Sequence, residues 1–249
     1  MTDSKRVIGV LGGMGPEATI LFMQKVVQAV QASDDADHVP LIVDNNTQVP
    51  SRIKALIEGT GVDPAPTLAG MAKHLETAGA RALVMPCNTA HNYQAQIRNA
   101  VGIPFLSMVD LTAEHIASIA PGTRVGILAS PAVRMTGIYQ NPLSARELKT
   151  VYSRDEDRIL SSIKALKVSA HDALARENVH LAAAELESEG CEVLLVGCTE
   201  FSLLADDLKQ RFRIVDSLDV LVEAAVSFSL STAAHGAAQN LTSVGDQRP

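Results

Sequence analysis

The sequence predicts an α/β protein built from doubly wound parallel sheets. Short runs of Val, Ile and Leu recur along the chain, and longer segments with helical spacing separate them. The runs are apolar throughout instead of alternating in and out, as in strands covered by helices on both faces. With 249 residues and 47% hydrophobic content, the chain can form one large or two modest domains with a sizeable core.

The predicted strands are residues 7–11, 39–43, 82–85, 103–106, 125–128 and 193–196, with a weaker one at 212–215. After Pro16, a residue suited to a first helical turn, Phe22, Val26, Ala29 and Val30 recur at helical spacing. Leu68, Met71, Ala72 and Leu75 do the same, and Gly79 is placed to end their helix. Ile159, Ile163 and Leu166 mark the core face of a helix that also carries Lys167. The Pro121-Gly122 pair and the segment 59–66 are turn-rich, and the latter is expected to form a mobile loop over a cleft. Residues 235–249 lack periodicity and are expected to fray.

Composition excludes several classes of function. Five Phe, three Tyr and no Trp leave few rings to stack nucleobases, and a formal net charge of -7 repels phosphate backbones and anionic membranes on average. Neither nucleic acid nor a membrane is therefore an expected partner, although a local cationic pocket for a small anion stays open. Residues 1–6 lead straight into 7–11, too short for a signal-peptide core, and no run approaches the roughly 18 apolar residues of a membrane span. A soluble cytoplasmic protein is expected. Three cysteines, an odd number without secretory features, argue against a disulfide framework.

The two halves of the chain look alike. Val7-Ile8-Gly9-Val10-Leu11 opens one and Arg124-Val125-Gly126-Ile127-Leu128 the other, and each half later reaches an apolar strand that ends in cysteine. Gly9 and Cys87 are 78 residues apart; Gly126 and Cys198 are 72 apart. A duplicated unit would place both cysteines at carboxyl ends of parallel strands, where ligand sites form. A Cys past a strand and near a helix N-terminus is expected to have a lowered pKa. One thiolate and one thiol on opposite faces of an sp³ carbon could remove a proton from one side and return one from the other. A free cysteine is more commonly an inert buried hydrophobe, and that reading is kept for Cys191, which has no counterpart in the first half.

Other constellations are weaker. Cys191 and Cys198 are too far apart along a strand for a zinc-ligand pair, and no C-x-x-C or H-x-x-x-H pattern completes a metal site. His91 could act as base in a Cys-His pair, but on the segment following Cys87 it reads better as a supporting or capping residue. Gly13-x-Gly15-x-x-Ala18 fits a dinucleotide fingerprint, with Asp44 as the ribose acid, yet Pro16 removes an amide donor and Glu17 places negative charge where pyrophosphate would sit. A Gly turn approaching a small carboxylate fits better. Arg52, past a polar strand end, can grip a carboxylate bidentately; Lys167 could in principle carry pyridoxal phosphate, but no phosphate cup accompanies it.

These residues converge on a family. Ile8-Gly9-Val10-Leu11-Gly12-Gly13-Met14-Gly15-Pro16, Gln48-Val49-Pro50-Ser51-Arg52, Met85-Pro86-Cys87-Asn88-Thr89-Ala90-His91 and Gly197-Cys198-Thr199-Glu200 together resemble the cofactor-independent aspartate/glutamate racemase family, and its aspartate racemase branch most. The resemblance implies two α/β domains related by a pseudo-twofold axis, a site in the cleft between them, no cofactor, a homodimer, and racemisation of aspartate or, on the same scaffold, racemisation or isomerisation of glutamate, another amino acid or a small dicarboxylic acid; a non-catalytic amino-acid-binding protein is the alternative from another class. It implies that Cys87 and Cys198 are the acid/base pair. Arg52 and Lys167 would hold carboxylates, and Asn88, Thr89 and Thr199 would supply hydrogen bonds. Met14, Ala90, Ser130 and Glu200 complete the expected substrate-binding set. Residues 1–103 with 214–232 would form the first domain, the final helix near 217–231 returning to it; 104–213 would form the second, and 233–249 a flexible tail. One stretch departs from the family pattern: Ala129-Ser130-Pro131-Ala132-Val133 keeps one hydroxyl, but Ala132 and Val133 stand where the family has Gly and Thr.

Overall fold

The computed structural model describes residues 5–231. The expected tail and the fraying of 235–249 lie outside the described residues. Seven strands form two parallel sheets, β1 (Ile8–Gly12), β2 (Leu41–Asn45) and β3 (Ala82–Val84) in the order β2-β1-β3, and β4 (Arg124–Leu128), β5 (Lys149–Tyr152), β6 (Val193–Val196) and β7 (Ile214–Asp216) in the order β5-β4-β6-β7. The helices of the first half are α1 (Pro16–Gln28), α2 (Arg52–Leu56), α3 (Ala65–Thr77), α4 (Gln94–Ala100) and α5 (Met108–Ile119). Those of the second are α6 (Pro131–Thr136), α7 (Gln140–Ser144), α8 (Glu156–Val168), α9 (Ala173–Ser188), α10 (Ala205–Lys209) and α11 (Ser217–Leu230). No helix among the described residues is long and apolar enough to cross a membrane.

One expected strand is lost and one unexpected strand appears. Residues 103–106 shrink to one parallel bridge between Leu83 and Phe105, because Pro104 offers no amide and Ser107 already caps α5. Conversely β5 escapes an apolar-run search: Lys149-Thr150-Val151-Tyr152 is a short, half-exposed edge strand.

The repeat is visible in packing. A Cβ on Gly9 would lie 2.8 Å from Ala80 and Leu83 and 3.2 Å from Leu75; one on Gly126 would lie 2.7 Å from Leu194, 3.0 Å from Leu186 and 3.3 Å from Cys191. Both glycines let a helix and strand close on the central strand. Leu75, Ala80, Leu83 and Cys87 correspond to Leu186, Cys191, Leu194 and Cys198 at one shared offset of 111 residues. Cys191 therefore has a counterpart after all, the small core residue Ala80, and its thiol belongs to the core formed by Leu128, Leu186 and Leu194.

The last helix of each half crosses over. α5 follows the Phe105 bridge, and its Val109, Ala113 and Ile116 pack into the core of the second sheet with Val125 and Ile127 of β4 and Val193 and Leu195 of β6. α11 follows β7, and its Leu218, Leu221, Val222 and Ala225 join Ile8, Val10, Phe22 and Val26 of the first half. The expected domain boundary at 213/214 thus falls one strand too early. β7 pairs with β6 and belongs to the second sheet; the chain returns to the first half only at Asp216, the N-cap of α11.

Candidate active site

The carboxyl ends of β1, β3, β4 and β6 face one cavity of about 50 Å³. Its lining includes Met14, Arg52, Cys87, Asn88, Thr89, Ser130, Lys167, Cys198, Thr199 and Glu200, all expected from the sequence. Ser51, Ile53 and Ile163 also line it, although the sequence motifs do not single them out as site residues. Ile163 lies one helical turn before Lys167 and Ser51 adjoins Arg52, so spacing alone can find both. Ala90 is the exception among the expected residues: it is fully buried in the first core and does not line the cavity. The turn after Cys87 is a 3-10 turn, Thr89–Tyr93, and carries Ala90 away from the cleft. Val133 and Ala132 are also fully buried, Val133 in the second core, so the lost threonine hydroxyl of the family pattern is not replaced at the cavity. The segment 59–66 lines neither this cavity nor the one beside it; Arg52 and Ile53 of α2 form that wall, and Ala65 and Pro66 already belong to α3.

Local structure explains how each group arrives. Gly13 adopts φ 88°, and a Cβ there would lie 2.3 Å from the Asn46 carbonyl, so only glycine lets the turn after β1 approach the end of β2. Its N–H donates to Thr19 Oγ1 at 2.9 Å, which uses up an amide that a dinucleotide phosphate would need. Arg52 stands at the start of α2, where Ser51 accepts from the Lys54 amide. Its guanidinium donates to the carbonyls of Val49, Pro50 and Met14 at 3.3, 3.0 and 3.3 Å, which fixes the fork and leaves other N–H groups for a ligand.

The two cysteine turns are pinned by equivalent positions. His91 Nε2 accepts from the Met108 amide at 3.1 Å, so Nδ1 carries the proton and donates to the Cys87 carbonyl at 2.9 Å. Burial pushes its pKa down to about 4, and the ring is neutral with both nitrogens occupied. This gives His91 the supporting role and removes it as a base for Cys87. In the other half Ser202, at the same offset, donates to Asp216 Oδ1 at 2.8 Å. Each cysteine turn is thereby tied to the N-terminus of a crossing helix. Asn88 is held by Ser217, to which it donates at 3.1 Å, and by the Tyr139 hydroxyl, which donates to its Oδ1. Thr89 and Ser130 hydroxyls meet across the cleft at 3.2 Å.

Electrostatics around Cys198 overturn an expectation. Burial, and then the Glu200 carboxylate, push its thiol well above the usual range instead of lowering it. The thiol donates to Glu200 Oε2 at 2.9 Å, while Glu200 Oε1 pairs with Lys167 at 3.1 Å. The following helical turn, Phe201–Leu204, is 3-10 and four residues long, too short to offset burial and a carboxylate. Burial works against the charge on Lys167, but Glu200 prevails and raises its pKa.

The Asp/Glu/Hydantoin racemase family profile matches residues 11–225. The aspartate racemase of Picrophilus torridus superposes with a TM-score of 0.82 at 30% identity, covering 90% of this chain and 94% of that one. The broad specificity amino-acid racemase RacX of Bacillus subtilis is 25% identical over 242 residues, 90% of this chain and 99% of the relative. A glutamate racemase of Francisella tularensis, solved in complex with D-glutamate, shares the fold at a TM-score of 0.62 and 16% identity, covering 97% of this chain and 85% of that one. By the span of the profile match and the likeness over nearly its whole length, the chain belongs to the Asp/Glu/Hydantoin racemase family.

Proposed function

We propose that the protein is a cofactor-independent amino-acid racemase in which Cys87 and Cys198 carry out a two-base proton transfer at Cα. The observation that carries this reading is the placement of both thiols, one from each half, on the same small cavity. One thiolate takes the Cα proton and the other thiol protonates the opposite face; the roles exchange for the other enantiomer. An amino-acid Cα proton is far less acidic than a thiol of pKa about 8.5. The carbanion therefore needs fixed donors and cations in an enclosed site. Arg52, Lys167 and the hydroxyls of Thr89, Ser130 and Thr199 meet that need.

Charge matching supports aspartate as the substrate. Arg52 and Lys167 are cationic and Glu200 is the one carboxylate on the inner cavity among the described residues. The two cations match the two carboxylates of an acidic amino acid, and Glu200 matches its ammonium. The inner cavity is small, about 50 Å³, which favours the shorter acidic side chain. A second reading has its own observation: a cavity of about 360 Å³ adjoins the first and shares Ser51, Arg52, Lys167, Thr199 and Glu200 with it. A longer side chain passing these residues would extend there, giving a broader substrate range.

The test is Cα deuterium incorporation in deuterated water, without pyridoxal phosphate, across a panel of amino acids resolved by chiral chromatography. Aspartate racemisation that disappears in both Cys87→Ala and Cys198→Ala, each variant keeping at most exchange with retention on the face of its remaining thiol, supports the main reading. Undiminished racemisation in both variants rejects the two-thiol scheme, and exchange of neutral or basic amino acids in preference to aspartate selects the broader range.

A further inference from the structure

We infer that Glu200 is a positioning residue that keeps the proton on Cys198 in the free enzyme and thereby makes Cys87 the base of the resting form. The inference deepens the racemase reading above and rests on it for its catalytic meaning. Its geometric basis is independent of the substrate. One carboxylate is shared between two partners, Oε2 accepting from the Cys198 thiol at 2.9 Å and Oε1 held by Lys167 at 3.1 Å. The Glu200 side chain is 12% exposed and Lys167 38%, so the contact with the buried thiol is screened less by solvent than the ion pair.

The two halves differ at this point. Glu200 occupies the position that Thr89 holds in the first half, two residues after the cysteine. Thr89 is uncharged and hydrogen-bonds to Ser130 across the cleft. A duplicated scaffold thus places a carboxylate beside one thiol and a hydroxyl after the other. The charged and titratable groups lining the cavity that Cys198 faces are Arg52, Cys87, Lys167 and Glu200. Lys167 favours a Cys198 thiolate, whereas burial and the Glu200 carboxylate favour the thiol, and the latter prevail.

The consequence for turnover is an asymmetric cycle. In the resting direction the Cα–H bond breaks, its proton forms the Cys87 S–H bond, and the electron pair stays on Cα. The Cys198 S–H bond then breaks, its proton forms the new Cα–H bond on the opposite face, and that electron pair stays on sulfur. The enzyme is left with a Cys198 thiolate beside the Glu200 carboxylate and an extra proton on Cys87. Repulsion between the two anions favours return to the resting form, with one proton lost from Cys87 to water and one taken up by Cys198 from water. Because the enantiomers have equal free energies, kcat/KM is the same in both directions, and the asymmetry resides in kcat and KM separately.

The experiment follows thiolate ultraviolet absorbance against pH in the full chain, with Cys198 isolated by subtracting the same protein carrying Cys198→Ala. Glu200→Gln keeps the size of the side chain and removes its charge, and it is expected to lower the Cys198 midpoint by about one unit or more. Lys167→Met should raise it, which provides a second reading if the first variant folds poorly. In the racemisation assay, Glu200→Gln should bring the kcat values for the two enantiomers closer together. An unchanged midpoint in Glu200→Gln, or an unchanged midpoint in Lys167→Met, overturns the inference. Absence of Cα exchange in the unaltered protein with any amino acid, alongside intact midpoint shifts, would instead reject the racemase reading and leave the hold on the Cys198 proton established.

Discussion

Replacing Asp216 by Asn should change how stability depends on pH, with little effect on structure. Asp216 is buried, caps α11, and accepts from Ser202 and the Leu218 amide through Oδ1, whereas Oδ2 has no partner among the described residues. Burial, with Asp219 nearby, raises its pKa from 3.8 to about 6. A raised pKa means that the folded state holds its proton more tightly than the unfolded chain. The resulting stabilisation is complete below pH 3.8 and is lost as pH rises through 6. At about 1.4 kcal/mol per unit, the shift corresponds to about 3 kcal/mol. His91 works in the opposite sense: its pKa falls from 6.5 to about 4, so its stabilisation is complete above 6.5 and is lost as pH falls through 4. The two effects offset each other in the unaltered protein. Asparagine retains the cap and the Ser202 contact but cannot titrate. Urea unfolding of Asp216→Asn from about pH 4 to 6.5 should therefore show stability rising with pH more steeply than in the unaltered protein, by about 2 kcal/mol across the window. Parallel curves for the two proteins would refute the assignment of a protonated, buried carboxyl.

Three further outcomes are expected. Arg52→Lys loses the planar fork held by three carbonyls, so KM for the amino acid that the unaltered protein racemises should rise about tenfold or more with the fold intact; initial-rate kinetics decide this. Gly13→Ala introduces a Cβ at 2.3 Å from the Asn46 backbone in a left-handed conformation, and urea unfolding should report a loss of about 2 kcal/mol or more. Tyr139→Phe strips Asn88 Oδ1 of its donor, which should cost about 1–3 kcal/mol in the same assay and alter KM through the loosened Asn88.

The parts of the site that can be read from sequence are those written in local pattern. Cys87 and Cys198 follow unbroken apolar strands, and Arg52 follows a polar strand end, so a single element places each of them. Ala90 defeats this reading because its motif neighbours line the cavity while the 3-10 turn rotates it inward, a conformation that residue types alone do not encode. The acidity of Cys198 runs against its sequence position for a related reason. Glu200 is visible two residues ahead, but only folding sets its oxygen 2.9 Å from the thiol and fixes the depth of burial. β5 is hidden because an edge strand needs little hydrophobicity, and the true boundary near 216 because β7 serves one half while the helix directly after it serves the other.

The crossing of α5 and α11 has a consequence for the history and assembly of the chain. A single half made alone would expose the apolar face that the other half's helix covers. Two such halves would complete one another by exchanging their last helices, which is the geometry of a domain-swapped dimer. The short turn at Pro121-Gly122, between α5 and β4, makes that exchange intramolecular, so neither half is an independent folding unit. Chain cut at this turn should elute in gel filtration as one complex of its two pieces, each piece carrying the helix that closes the other's core.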